Sequence, residues 1–225
     1  MLMAPISQDP PAPSRRALDP VDRVAEVLFG LIMVLTFTGS LSVAEAGRDD
    51  VRAMLVGALG CNLAWGIIDA ILYLMGCLAE RSRHLMTVRA VRNARSPERA
   101  RAVLADALPP VLASILGPSE LDAMGAQLAK LPEPPAGAHM TKEDWRGAAA
   151  VFLLVFLSTF PVVIPFIFMR NAMPALRVSN AIAVAMLFMT GYAYGRLTAH
   201  RPVVTGITMV ALGAVLVAIT IALGG

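Results

Sequence analysis

Five apolar stretches, at roughly 24–44, 54–78, 147–169, 178–198 and 203–223, leave this chain few ways to fold. About 20 helical residues at about 1.5 Å each cross a hydrocarbon core about 30 Å thick, and lipid offers no partner to an unpaired backbone N–H or C=O. The pattern predicts an all-α membrane protein with five transmembrane helices. Composition agrees: 57% of the 225 residues are hydrophobic and 16% are charged. The mean hydropathy of +0.67 lies outside the range of ordinary soluble domains.

The basic residues set the expected orientation. Of 19 Lys and Arg, 3 lie before the first span, 10 between spans two and three, and 2 between spans four and five. The other face keeps Arg48, Arg52, Arg170 and Arg177. By the positive-inside rule the N-terminus and the 79–146 segment are cytoplasmic and the C-terminus lies outside, as expected in a bacterial inner membrane. Residues 1–23, rich in proline and polar side chains, read as a flexible cytoplasmic tail. A cleaved export signal is not expected, because Asp19, Asp22 and Glu26 follow Arg15-Arg16 where an apolar region should begin.

The chain thus divides into the tail, spans one and two (24–78), a helical cytoplasmic insert (79–146) and spans three to five (147–225). Within the insert, Ser96-Pro97, Pro109-Pro110 and Gly117-Pro118 each announce a short helix that follows an extension of span two. A proline-rich linker comes next, then Thr141-Lys142-Glu143-Asp144, which reads as a helix start, and Trp145, an interfacial anchor.

Asp69 is the leading functional residue, because an ionisable group deep in an apolar span must be protonated, paired, or facing water or an ion. Asn62, Asp69 and Gly76 recur every seven residues and share a helix face, with Trp65 and Tyr73 four residues either side of Asp69. An ion or proton route fits this stripe, and so does an interhelical hydrogen bond to Asn180 or a tyrosine. Glu26 is a candidate second carboxylate at the cytoplasmic mouth. Met33 and Cys61 are soft donors at membrane depth. The histidines at 84, 139 and 200 show no metal-ligand spacing, and Cys61 and Cys77, about 24 Å apart on one helix, cannot pair within one chain.

Other features point away from catalysis. Span three carries Ser158, Thr159, Pro161 and Pro165, which predict a kink, and Gly191 with Gly195 forms a GxxxG pattern for close helix packing, within the protomer or across a dimer. Arg81, Arg83, Arg89, Arg92 and Arg95 form a basic patch suited to anionic lipid heads. No nucleophile triad, phosphate loop or zinc-protease motif is present, so no enzyme and no cofactor is expected, beyond a transported divalent metal ion. Nucleic acid is not an expected partner, since no recognition motif accompanies the charge.

Leu28-Phe29-Gly30-Leu31, Gly57-Ala58-Leu59, a proline-bearing third span and a glycine-bearing last span, set in this five-span layout, resemble the vacuolar iron transporter family. That resemblance implies a homodimer that moves ferrous iron or manganese out of the cytoplasm by proton exchange, with span one lining the pathway. Where such proteins carry the pathway aspartate, this chain reads Ile32-Met33-Val34, and the glutamate-rich surface of their insert is absent. A route along spans one and two in which Asp69 replaces that carboxylate gives a divalent transition-metal site of Asp69, Asn62, Met33, Cys61 and Glu26, with Asp69 also coupling protons. The alternative is a non-transporting membrane scaffold whose arginine-rich insert binds anionic lipid or a cytosolic partner.

Overall fold

The computed structural model describes residues 20–39 and 48–222, so the tail at 1–19 and the end of span one at 40–44 lie outside the described residues. In chain order the helices are α1 (Pro20–Gly39), α2 (Arg48–Arg92), α3 (Pro97–Ala107), α4 (Pro110–Ile115), α5 (Pro118–Lys130), α6 (Lys142–Ser158), α7 (Phe160–Phe168), α8 (Ala172–Leu197) and α9 (Pro202–Ala222). The described residues contain no strand. Among the described residues, four stretches are long and apolar enough to cross a membrane: Val51–Arg92, Lys142–Phe168, Ala172–Leu197 and Pro202–Ile219. The described part of α1 is not among them, since it carries Asp22, Arg23 and Glu26 near its start. The chain forms two compact units, 1–71 with 146–225, and 72–145.

The starts of α1, α2 and α8 differ from the apolar windows, because hydropathy ends a window at charges that a helix tolerates in its first turns. α1 begins at Pro20, ahead of the expected start after Arg23, because proline suits the first helical position and Asp22 favours the positive end of the helix dipole. Glu26 therefore stands nearly two turns inside the helix. α8 begins at Ala172 instead of near 178, so Arg177 lies in its second turn and not in a loop.

In the first unit α1 is the hub. Leu31, Val34 and Leu35 of α1 share a core with Ala58 of α2, Val162 and Val163 of α7, and Ala183 and Leu187 of α8, and Val210 and Val217 of α9 pack against it. The break between α6 and α7 falls at Thr159, where Pro161 cannot donate to the carbonyl one turn back. The hydroxyls of Ser158 and Thr159 bond back to the Val155 and Phe156 carbonyls, and the Ser179 hydroxyl donates to the Val162 carbonyl at 2.7 Å. Local polar groups thus satisfy the kinked backbone, as an apolar setting requires.

The GxxxG pair packs within the protomer. A Cβ on Gly191 would lie 2.8 Å from the Thr205 carbonyl oxygen and 2.9 Å from the Gly206 Cα, and one on Gly195 would lie 2.8 Å from the Pro202 Cα. These obstacles are backbone atoms, which cannot rotate away, so the α8–α9 contact depends on the missing side chains.

The second unit is small, with Val91, Leu104 and Leu121 as its buried core. Its helices start where expected: the Ser96 hydroxyl accepts from the Arg99 N–H, and prolines open α3, α4 and α5. Glu98 and Glu120, in the first turns of α3 and α5, accept backbone N–H bonds that hold their carboxyls below the usual range. At the start of α6 the Asp144 carboxylate accepts from the Thr141 N–H at 2.6 Å while the Asp144 N–H donates to the Thr141 hydroxyl, a reciprocal cap.

Arginines tie the proline-rich linker to α2. Arg81 forms a bidentate pair with Asp144, at 2.9 and 3.2 Å, and also donates to the His139 carbonyl at 2.6 Å. Arg89 donates to the Pro135 carbonyl, and Arg92 to the Leu131 and Pro132 carbonyls, at 3.0 Å each. Three of the five arginines expected on a lipid-facing patch therefore also hold the linker, while Arg83 and Arg95 are exposed.

Two expectations follow. Gly191→Ala lowers the melting temperature of the purified protein, whereas Gly60→Ala, whose added Cβ meets nothing within 4 Å, leaves it unchanged or raises it, since alanine gains up to about 1 kcal/mol of helix propensity. Asp144→Ala removes both the cap and the bidentate pair and costs about 1–3 kcal/mol, read as an earlier thermal transition in detergent and faster proteolysis within 131–141.

Candidate functional site

Small residues and one amide set the register of α1 against α2. The Asn62 side chain is fully buried, and its Nδ2 donates to the Gly30 carbonyl at 3.2 Å. One residue before Gly30 and one turn after Asn62, Phe29 and Trp65 meet edge to face with ring centroids 5.4 Å apart. The two helices run antiparallel there, so continuing one more turn brings Glu26 of α1 level with Asp69 of α2. The two carboxyls thus stand on the same stretch of the α1–α2 pair, with Asp22 one turn before Glu26.

Two buried acceptors at this helix pair lack donors. Asp69 is half-buried, and its Oδ2 has no hydrogen-bond partner; nor has the Oδ1 of Asn62. An unpaired buried acceptor costs about 1–3 kcal/mol, and more when charged. Water, a proton or a cation relieves that cost. Asn180, considered above as a packing partner for Asp69, is exposed on α8.

The five residues proposed for one metal site fall on two levels. Glu26 and Asp69 form the first. Asn62 is seven residues from Asp69, about 10 Å along the helix, and too far for both to bind one ion whose ligands sit at about 2.0–2.6 Å. Met33, one turn beyond Gly30, and Cys61, a half-buried free thiol beside Asn62, belong to this second level. Among the described residues no three His, Cys, Asp or Glu side chains form a group that could hold a metal ion. The first level thus holds two carboxyls with no third such side chain grouped with them among the described residues.

Reading the sequence missed the role of Gly30. A Cβ there would lie 2.0 Å from the Ser158 Oγ and 2.5 Å from the Val155 carbonyl oxygen, so its absence lets α1 lie against α6 on one side while its carbonyl receives Asn62. The signal was present in Phe29-Gly30-Leu31, but nothing in one sequence says which helix a glycine faces.

Residues 81–225 match the VIT family. This chain belongs to the vacuolar iron transporter family. Membership of this family of membrane metal-ion transporters, with several helices able to cross a bilayer, makes the chain a multi-pass membrane protein. The family match begins at Arg81, so the Glu26 and Asp69 pair lies outside it and rests on its own geometry. No curated protein matches the chain.

Asn62 separates packing from function. Asn62→Leu removes the unsatisfied Oδ1 together with one hydrogen bond of about 1 kcal/mol, and we expect its melting temperature to stay near wild type. A large loss of stability, measured by thermal unfolding in detergent, would instead make the bond to Gly30 the main reason for an amide here.

Proposed function

We propose that this member of the vacuolar iron transporter family moves divalent transition-metal ions of the iron or manganese class along α1 and α2. The observation that carries the reading is the pair Glu26 and Asp69, two carboxylates set level in the first unit, one with a buried oxygen that has no donor. In a low-dielectric setting two adjacent carboxylates do not both stay charged without a cation. A divalent ion satisfies both, and its departure leaves the pair to take up a proton, which couples proton movement to metal movement with Asp69 as the exchanging group. Asn62, Met33 and Cys61 stand at the next stage about 10 Å further along, where an amide oxygen and soft sulfur suit a partly dehydrated transition metal better than Mg²⁺.

The reading includes five membrane crossings, with α1 as the first, and a helical cytoplasmic insert formed by the end of α2 with α3 to α5. The N-terminus is cytoplasmic and the C-terminus outside, in a bacterial inner membrane, by the distribution of Lys and Arg. A homodimer is part of the proposal, and the chemistry is transport without an enzymatic step.

Asp69→Asn is the direct test. In proteoliposomes it should reduce Mn²⁺ and Fe²⁺ flux by at least about tenfold, the scale on which even outer-shell changes weaken a metal site. Melting temperature should stay near wild type, because the lost charge has no hydrogen-bonded partner at Oδ2. Flux that survives the substitution would remove Asp69 from the mechanism.

A further inference from the structure

The arginines at the end of α2 are arranged for more than fixing the linker. Arg89, Arg92 and Asn93 line a cleft of about 690 Å³ whose far wall is Glu133, Pro134 and Ala136 of the linker. A second cleft of about 570 Å³ is lined by Arg95, Ser96 and Arg99, and Asn93 stands in the wall of both. Four guanidiniums therefore surround this concave surface with a single carboxylate, Glu133, among the residues that line it.

The partners these arginines have leave their charge intact. Arg89 and Arg92 donate to backbone carbonyls of the linker, which orient a guanidinium without neutralising it. Arg81 and Arg101, elsewhere in the same unit, contrast with them: Arg81 is paired with Asp144, and Arg101 with Glu98 and Asp122. Positive charge in the unit is thus cancelled where it meets carboxylates and kept where it lines the two clefts. Pre-positioned guanidiniums with donors to spare are suited to phosphate oxygens, which they bind in pairs of parallel bonds. The cleft volume lies in the range of small-molecule sites and exceeds what one phosphate fills.

We infer that the Arg89, Arg92, Arg95 and Arg99 clefts form a binding site for a polyphosphorylated group, either a free polyphosphate ester or a phosphorylated lipid head. The site is separate from the proposed metal route and does not depend on it. Binding there tightens the linker, because the ligand bridges α2 to the segment that Arg89 and Arg92 already hold.

The test uses the full chain in nanodiscs, with inorganic tripolyphosphate as the titrant in calorimetry at near-physiological salt. We expect saturable binding to wild type, weakened about tenfold or more by Arg95→Glu and by Arg99→Glu, which take no part in holding the linker. Arg83→Glu, outside both clefts, should leave the affinity within about twofold, since screening over a Debye length of about 8 Å removes distant charge effects. Equal affinity in neutral and phosphatidylglycerol nanodiscs assigns the site to a free ester. Competition from the anionic lipid that disappears in Arg95→Glu assigns it to a lipid head. Absence of binding in neutral nanodiscs, or equal losses from Arg83→Glu and Arg95→Glu, overturns the inference.

Discussion

The close approach at Gly30 organises the first unit. With no side chain at that position α1 lies against the Val155–Ser158 turn of α6, and its carbonyl is left to accept the buried amide of Asn62. That bond and the Phe29–Trp65 contact share one antiparallel register of α1 and α2, and the same register carries Glu26 and Asp69 to one end of the pair. A shift of one residue along α2 would turn Asp69 by about 100° around the helix axis, and the same shift along α1 would turn Glu26 likewise. The placement of the two carboxyls thus goes with a glycine one turn from Glu26 and an amide two turns from Asp69, neither of them a charged residue.

The two units solve different problems with different forces. In the first, the unsatisfied buried acceptors among the described residues are those of Asn62 and Asp69, while hydroxyls of Ser158, Thr159 and Ser179 return to backbone carbonyls around the α6–α7 break. In a setting without water this avoids leaving backbone groups unpaired. The second has a core of only three buried apolar residues and relies on caps and arginine bonds instead. Long guanidinium arms reach carbonyls of a proline-rich segment whose prolines have no N–H with which to form a ladder of their own.

Much of this architecture was legible in the sequence. Ser96-Pro97, Gly117-Pro118 and Thr141 to Asp144 set helix starts because capping chemistry is local. Span two was expected to extend into the charged segment beginning at Glu80, and α2 is continuous to Arg92. The start of α8 was misplaced because Arg177 looks like a loop residue to a hydropathy window, although a helix tolerates a charge in its second turn. The candidate site was readable only in part. Asp69 announced itself by its depth, but its nearness to Glu26 and the separation of Met33 and Cys61 from both depend on how α1 and α2 align, which no local pattern encodes. The linker contacts of Arg89 and Arg92 were hidden for the same reason.

The central claim is that Glu26 and Asp69 act on one ion together. It is tested most directly by a double-mutant cycle of Mn²⁺ affinity, from calorimetry on wild type, Glu26→Gln, Asp69→Asn and the double variant. If both carboxylates bind one ion, each single change removes most of the affinity and the double variant loses little more, a strongly non-additive result. Additive losses, or a Glu26→Gln affinity equal to wild type, would contradict a shared site and leave Asp69 to act alone.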